Sequence, residues 1–275
     1  MEWHVAVVQY APRFGDVRGN LDRVDALLQD VSADLIVLPE LFATGYLFQD
    51  AAEAAAYAEP VPDGPICQRL AEWSRKYDAA IVAGIAERAQ DGVYNSAVLV
   101  DARHDVWMVY RKIHLFMDEK DWFRPGNLGF RVTQIRGVRV GIMVCFDWIF
   151  PEATRTLAMK GAEVIAHPAN LVLPYCQQAT PVRSLENRVY IATANRTGED
   201  VRPNGQRLQF TGHSQITAPD ARVLGRLGAD EERVLTVTID PETARRKWVT
   251  SRNHLFLDRR PEYYTDAVPF CPGII

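Results

Sequence analysis

Three side chains with catalytic potential each lie next to an apolar run, and the runs are far apart in the chain. Glu40 comes after Leu-Ile-Val-Leu-Pro, Lys112 lies within Tyr-Arg-Lys-Ile-His-Leu-Phe, and Cys145 comes after Val-Gly-Ile-Met-Val. Short apolar runs are typical of buried strands, and ligands of open α/β sheets bind beyond the carboxyl ends of strands. A thiol, a carboxylate and a cation can supply the nucleophile, the base and the charge stabilisation that attack on a carbonyl-type carbon requires.

Each of the three residues, taken alone, also has a structural explanation. Cys145 is more readily explained as a small buried apolar residue, because most free cysteines are buried. Glu40 is equally well a solvated carboxylate at a strand end, and Lys112 alone would be read as a surface lysine. Only the combination of the three segments separates the catalytic interpretation from these alternatives.

The three segments, in this order and spacing, resemble the signature segments of the nitrilase superfamily, the carbon–nitrogen hydrolases. The resemblance covers most of the chain, because four flanking pieces match as well: Tyr94-Asn95-Ser96-Ala97, Pro125-Gly126, Pro151-Glu152 and Asp258-Arg259-Arg260-Pro261-Glu262. A lone cysteine or lysine would be weak support, whereas three ordered segments with matching flanks are strong support.

The resemblance implies a catalytic triad of Glu40, Lys112 and Cys145. A free thiol has a pKa of about 8.5, so Glu40 would take its proton as the sulfur attacks an amide or nitrile carbon. Lys112 and the backbone N–H of Phe146 would stabilise the negative charge that develops on the former carbonyl oxygen. Ammonia leaves and water then hydrolyses the thioester on Cys145, so we expect neither a metal nor an organic cofactor.

The resemblance also implies a second carboxylate and a set of substrate-binding residues. Glu119 stands where amidases of the family place a second glutamate that orients the substrate amide and the hydrolytic water; a solvated loop charge is the alternative. Four residues are expected at the substrate pocket: Phe146, Trp148, Tyr46 and Asn170. For Tyr46 a plain packing role is equally compatible with the sequence.

The remaining thiols and the histidine beside the lysine carry weaker hypotheses. His114 is interpreted as a loop-packing residue rather than an alternative base. Cys67 is assigned to the core and Cys271 to an incidental tail position, while Cys176 could line the pocket mouth. The four cysteines are widely spaced with no C-x-x-C pair, which argues against a disulfide framework or a zinc site and favours a reducing cytoplasm.

The favoured reaction is hydrolysis of a small carboxylic amide to acid and ammonia. The first alternative is a nitrilase acting on a small aliphatic nitrile, since the same triad can attack either carbon. The Cys-Phe-Asp-Trp string at Cys145 resembles a branch of the family that holds aliphatic nitrilases and amidases, and this resemblance mildly favours an amidase. An N-carbamoyl amine hydrolase is a third reading, although the arginine that would bind the carboxylate of a carbamoyl amino acid is absent beside the nucleophile. A non-catalytic scaffold is disfavoured because all three triad positions are filled.

Strand and helix patterns alternate along the chain. Helical spacing occurs over residues 21–31, 65–77, 151–160 and 180–188. Strands are predicted over residues 5–9, 34–38, 79–86, 94–101, 106–111, 131–135, 139–144, 163–166, 190–195, 213–218 and 233–239. Residues 113–128 show no period and are predicted to be a long functional loop.

Two strand–helix–strand units echo each other: one ends at Glu40, and the other begins with the strand that ends at Cys145 and returns through a helix to Pro168. Packed face to face, they predict an α/β fold: one α-β-β-α sandwich domain of two mixed sheets over residues 1–275. The family resemblance implies that sandwiches associate in a homodimer or a higher even-numbered oligomer. The helix after Cys145 and a tail at about residues 250–275 are the expected contact surfaces.

Composition limits the partner classes. The formal net charge is -4, whereas a dedicated nucleic-acid binder usually shows a basic balance or stripe. No apolar run approaches the roughly 18 residues of a membrane span, and the N-terminus lacks the basic start of a signal peptide. The prediction is a cytoplasmic enzyme for a small-molecule amide or nitrile, with no nucleic-acid or membrane partner.

Overall fold

The computed structural model describes residues 1–264, and most of its strands form two six-stranded mixed sheets. The first sheet contains β1 (Trp3–Gln9), β2 (Leu35–Val37), β3 (Ala80–Ala89), β4 (Gly92–Asp101), β5 (Val106–Arg111) and β14 (Arg233–Ile239). The second contains β6 (Val132–Ile135), β7 (Val138–Ile142), β8 (Val164–Ala169), β9 (Tyr190–Asn195), β12 (Gln215–Thr217) and β13 (Val223–Arg226). A separate hairpin pairs β10 (Glu199–Val201) with β11 (Arg207–Gln209).

Both sheets have a parallel centre and antiparallel edges. The first sheet has the order β14-β1-β2-β3-β4-β5, with β1, β2 and β3 parallel. The second has the order β13-β12-β9-β8-β7-β6, with β7, β8 and β9 parallel. Because parallel strands of one sheet end at the same edge, the segments that follow β7 and β8 are available to form one site. Strand β2 of the first sheet lies against β8, which brings it close to these segments.

Helices cover the outer faces of the two sheets. The helices are α1 (Val17–Leu28), α2 (Ala51–Tyr57), α3 (Pro65–Lys76), α4 (Glu119–Trp122), α5 (Pro151–Met159), α6 (Cys176–Asn187) and α7 (Pro241–Arg245), with short 3-10 helices at Cys145–Ile149 and Pro261–Tyr263. Apolar residues of α1 and α3 pack on the first sheet, while α6 packs on β9 and β12 of the second. Among the helices of residues 1–264, none has the length and apolar character that crossing a bilayer requires.

The central strands are buried on both faces, which explains their continuous apolar runs. In β1, Val5 and Val7 point into the core between the sheets, whereas Ala6 and Val8 pack beneath the helices. This alternation follows from the two-residue period of a strand. Strands β1 to β3 lie against β8 and β9, so the α-β-β-α sandwich of two mixed sheets predicted from the sequence is confirmed.

Each predicted strand is present; those at residues 106–111, 190–195 and 233–239 have the predicted bounds, and the others have ends displaced by up to three residues. Several other predictions are corrected. The long loop predicted over residues 113–128 contains α4, and α2, α7, β10, β11 and β13 are not among the predicted elements. The dimer-contact tail predicted at about residues 250–275 lies partly outside the described residues, and Cys271 lies wholly outside them.

The helix predicted to begin at residue 180 begins at Cys176, so that Pro181 lies inside it. A proline removes the bond to the carbonyl four residues earlier. That carbonyl, of Gln177, instead accepts bonds from Gln215 Nε2 and Arg226 Nη2, each at 3.1 Å. Tertiary partners therefore compensate for the bond that the proline removes.

Candidate active site

The ammonium group of Lys112 lies between two buried carboxylates. Its Nζ donates to Oε1 of Glu40 and to Oε1 of Glu119, both at 2.7 Å, and all three side chains are fully buried. Lys112 follows β5 directly, and its backbone N–H donates to the carbonyl of Asn95 in β4 at 2.8 Å. Since charges are buried only when they are paired and hydrogen-bonded, this cluster holds a cation in a fixed position.

Glu40 lies three residues beyond β2 and is held by two asparagines. Asn95 Nδ2 donates to its Oε1 at 2.7 Å, and Asn170 Nδ2 donates to its backbone carbonyl at 2.8 Å. Gly84 of β3 allows the close approach of this segment, because a Cβ there would lie 2.4 Å from Cα of Glu40. Oε2 of Glu40 is buried and has no hydrogen-bond partner among residues 1–264, so it is free to accept a proton.

Cys145 is the first residue of a 3-10 helix and has a strained backbone. Its φ of 40° lies in the left-handed region, which costs a residue other than glycine about 1–3 kcal/mol. His167 of β8 fixes the turn: its Nε2 lies 3.0 Å from the carbonyl oxygen of Cys145, and its Nδ1 lies 3.0 Å from Oγ1 of Thr193. Backbone N–H groups in a first helical turn have no intrahelical acceptor, so the N–H of Phe146 is available as an oxyanion donor.

Asp147 ties the segment around Lys112 to the segment around Cys145. Its Oδ2 accepts from the Tyr110 hydroxyl at 2.7 Å and from Val144 N–H at 2.9 Å, and its Oδ1 accepts from His114 Nδ1 at 2.7 Å and from His114 N–H at 3.2 Å. Tyr110 and His114 flank Lys112, and Val144 precedes the cysteine. One fully buried carboxylate thus sets the relative position of two chain segments.

The protonation of the carboxylate pair depends on burial and on Lys112. Burial, opposed by Lys112 and supported by Glu40, raises the pKa of Glu119 to about 7. Burial alone would lower the pKa of Lys112, but Glu119 and Glu40 outweigh it and raise that pKa above its usual value. The lysine therefore stays charged, whereas the charged form of Glu119 is disfavoured by its burial.

The thiol and the histidine beneath it are both held neutral. Burial and then Glu40 raise the pKa of Cys145 well above its usual value, while Lys112 lowers it. Burial lowers the pKa of His167 to about 4, so the ring is neutral and its Nε2–H donates to the Cys145 carbonyl. Because the thiol is protonated at rest, attack by sulfur requires a base that removes its proton.

Cys145 faces a narrow crevice of about 20 Å³. Its lining residues are Phe116, Cys145, Phe146, Trp148, Asn170, Leu171, Val172 and Leu173. Three of the four predicted substrate-binding residues, Phe146, Trp148 and Asn170, lie here. Tyr46 does not line the crevice: its hydroxyl donates to Glu119 Oε1 at 2.6 Å, and its ring lines an adjacent cavity.

The structure joins three of the four predicted catalytic residues, Glu40, Lys112 and Glu119, by hydrogen bonds, and their charges act on the thiol of the fourth, Cys145. His114 packs in the loop, as predicted: its ring stacks on that of Phe150 with centroids 3.7 Å apart, and its Nδ1 is hydrogen-bonded to Asp147. Cys176 is wrongly predicted at the pocket mouth: it is fully buried and packs in the core, as Cys67 does. Within residues 1–264, no three His, Cys, Asp or Glu side chains are grouped as metal ligands.

Sequence reasoning missed the residues that support the cluster. The sequence indicates Asn95 only as part of a matching segment, and Asp147 only as part of the Cys-Phe-Asp-Trp string. A sequence signal for both residues exists: each is a polar side chain inside an apolar strand or next to the nucleophile. A buried polar group needs a hydrogen-bond partner, so such a residue is expected to hold another group in place. The identity of that partner was not visible, because Asn95 and Glu40 are 55 residues apart.

The amino-acid sequence is similar to those of known enzymes. The sequence model of the family described as carbon-nitrogen hydrolase matches residues 4–247. The chain is 46% identical over 263 residues to a protein named nitrilase from Pyrococcus abyssi, covering 94% of this chain and 98% of that protein.

Two solved structures are similar over nearly their whole length. A carbon-nitrogen hydrolase from Helicobacter pylori G27 has a TM-score of 0.84 and 25% identity, covering 96% of this chain and 97% of that one. A variant of an amidase from Nesterenkonia sp. AN1 has a TM-score of 0.77 and 27% identity, covering 95% of each chain; it shows covalent addition of the acetamide moiety of fluoroacetamide at its active-site cysteine.

Proposed function

Since the chain belongs to the carbon–nitrogen hydrolase family and is a hydrolase of C–N bonds other than peptide bonds, we propose that it converts a small carboxylic amide to the acid and ammonia through a thioester on Cys145. One observation carries the proposal. The Lys112 ammonium is shared by Glu40 and Glu119 at 2.7 Å, and the same charges act on the Cys145 thiol that faces the crevice.

The first half of the reaction forms the thioester. Glu40 Oε2 takes the thiol proton as Sγ bonds to the amide carbon, and the carbonyl π electrons move to oxygen. Lys112 and the N–H of Phe146 stabilise that oxyanion. The tetrahedral intermediate collapses, the C–N bond breaks, and Glu40 returns its proton to the leaving nitrogen, which departs as ammonia.

The second half regenerates the thiol. Glu40 removes a proton from water as the water oxygen bonds to the thioester carbon, and the C–S bond then breaks. The acid leaves and the sulfur takes the proton back from Glu40. Glu119, anchored by Lys112 and Tyr46, orients the substrate amide and the water in this proposal.

A nitrile is the second candidate substrate, because a relative with 46% identity is named a nitrilase. Attack on a nitrile carbon gives a thioimidate. One water adds to it, ammonia leaves from the resulting tetrahedral centre to give the same thioester, and a second water then releases the acid and the thiol. The buried cluster serves both substrates, because each reaction needs a thiol, a base and a cation in the same positions.

Ammonia release from matched amides and nitriles tests the proposal. We expect turnover by the wild type, none by Cys145→Ala, and near wild-type turnover by Cys176→Ala, which removes an equally buried thiol that lies outside the crevice. Mass spectrometry should find an acyl adduct on Cys145 with a slow substrate. Turnover by Cys145→Ala, or no turnover of any amide or nitrile by the wild type, would contradict the proposal.

Assembly and location complete the proposal: a cytoplasmic homodimer, or a higher even-numbered oligomer, formed sandwich to sandwich. Large apolar side chains are exposed on the outer face of α5 and α6, namely Met159, Val182 and Leu185, and exposed apolar patches mark contact surfaces. The cysteines within residues 1–264 are free thiols, which suits a reducing compartment. Size-exclusion chromatography with light scattering should show a multiple of 31.0 kDa, and a stable monomer would contradict the oligomer.

A further inference from the structure

The crevice at Cys145 offers a substrate almost no polar partner beyond the reacting groups. Phe116, Phe146, Trp148 and three aliphatic residues at 171–173 form most of its wall. Apart from the thiol, Asn170 and the tryptophan N–H are the polar side-chain groups there, and no charged side chain is among the described lining residues. An acyl group bearing a charge would therefore be desolvated without a partner, which is costly.

A second apolar cavity of about 50 Å³ lies next to the crevice. Its lining residues are Tyr46, Leu47, Phe116, Met117, Asp118, Trp122 and Leu208. Val172, which lines the crevice, packs against the aromatic cluster that contains Tyr46, Leu47 and Trp122. The two cavities are therefore neighbours rather than separate surface features.

Phe116 is the one residue among the described lining residues that both cavities share. Its ring contacts Phe146 with centroids 5.0 Å apart on the crevice side, and Met117 continues the wall on the other side. Its hydrogen bonds to the catalytic cluster are made by the backbone: its N–H donates to Glu119 Oε2 at 3.2 Å, and its carbonyl accepts from the Glu119 N–H at 3.0 Å. A substitution of the side chain can therefore remove the partition and leave both bonds in place.

We propose that the side chain of Phe116 determines acyl length, and that the preferred substrates carry a short, uncharged, apolar acyl group. The inference rests on the proposed function. A crevice of about 20 Å³ has room for roughly one water-sized group, so each added methylene collides with the Phe116 ring. Removal of the ring joins the crevice to the second cavity and lengthens the acyl site.

The test is a chain-length series measured on matched variants. The substrates are acetamide, propionamide, butyramide and hexanamide, with the nitriles of the same acyl lengths and two charged amides, succinamate and 4-aminobutyramide. The variants are Phe116→Ala, Phe116→Leu and Phe116→Trp. The control is Met117→Ala, because Met117 is exposed and lines the second cavity without lining the crevice. Thermal melting establishes that each variant is folded.

For the wild type we expect kcat/KM to fall by about tenfold or more per methylene beyond the fitting length. In Phe116→Ala the ratio of kcat/KM for the six-carbon to the three-carbon substrate should rise by at least about tenfold. The ratio for Phe116→Leu should lie between those of the wild type and Phe116→Ala. Phe116→Trp should lower the ratio, and Met117→Ala should leave it unchanged. The charged amides should react at least about tenfold more slowly than butyramide.

The outcomes separate this inference from the proposed function. An unchanged length ratio in folded Phe116→Ala and Phe116→Leu, with an active wild type, overturns the role of Phe116 and leaves the function intact. Equal rates for charged and uncharged acyl groups overturn the substrate class. No turnover of any amide or nitrile by the wild type overturns the function and the inference with it.

Discussion

The polar floor and the apolar rim of the candidate site are held in place by different interactions. The polar floor (Glu40, Lys112, Glu119, Asp147 and His167) is fully buried, and each of its side chains is fixed by hydrogen bonds. The apolar rim (Phe116, Phe146 and Leu173) is partly exposed, with Leu173 at 41%, and is held by packing. Under the proposed function, reactivity resides in the part that tolerates little change, and selectivity resides in the part that can be altered.

The largest effect should come from the cation of the polar floor. Lys112→Gln removes the charge that two buried carboxylates share and that would stabilise the oxyanion, so kcat should fall at least about 10²-fold. Steady-state ammonia release measures this effect. The matched control is Lys120→Gln, an exposed lysine of α4, which should keep wild-type activity. A loss of tenfold or less in Lys112→Gln would assign the lysine a structural role only.

A smaller effect is expected from the carboxylate that positions the floor. Asp147→Asn places an amide NH₂ against two donors, and an unsatisfied buried group costs about 1–3 kcal/mol. We expect a lower melting temperature and a roughly tenfold loss of kcat with little change in KM. A tenfold loss of rate corresponds to an increase of about 1.4 kcal/mol in the activation free energy, which a displaced nucleophile would cause.

The control for that variant is Asp121→Asn, an exposed aspartate of α4. The rate of Cys145 alkylation by iodoacetamide reports positioning directly and should change in Asp147→Asn alone. If Asp147→Asn loses stability but keeps the wild-type alkylation rate and kcat, the contacts of Asp147 hold the fold without positioning the nucleophile.

The effect that is smallest at neutral pH concerns stability rather than rate and appears only in acid. Burial lowers the pKa of His167 to about 4, against about 6.5 in an unfolded chain. The unfolded state therefore binds a proton between those values when the folded state does not, so stability is lost as pH falls from about 6.5 to about 4. The shift corresponds to about 3 kcal/mol.

Urea unfolding of His167→Gln and wild type across this pH range measures that contribution. The variant should be less stable at pH 7.5 because it loses hydrogen bonds, but its stability should fall less steeply in acid. Glu119, whose pKa is raised to about 7, gives a pH dependence of opposite sign, because its contribution to stability falls as pH rises from about 4.5 to 7. Both proteins contain Glu119, so this contribution cancels in the comparison. Parallel pH curves would show that His167 titrates normally. His4→Gln, at an exposed position, is the control.

Most of the fold could be predicted because its signals are local. The strands at the sheet centres carry continuous apolar runs, and the helices carry three- and four-residue spacing that a reader can detect within a dozen residues. One helix boundary was predicted wrongly where tertiary contacts matter: the helix predicted from residue 180 begins at Cys176 with Pro181 inside it. Gln215 and Arg226 satisfy the carbonyl that the proline leaves free.

The sequence by itself determined the strand and helix order, the sandwich and, through resemblance, which thiol, cation and carboxylates to examine. Only the tertiary structure decided that Asn95 and Asn170 hold Glu40, that Asp147 joins the segments around Lys112 and Cys145, and that Phe116 divides two cavities. The physical reason is distance along the chain. Hydrophobic periodicity acts between near neighbours, whereas the bond from Asn170 to Glu40 spans 130 residues and exists only after both sheets have packed.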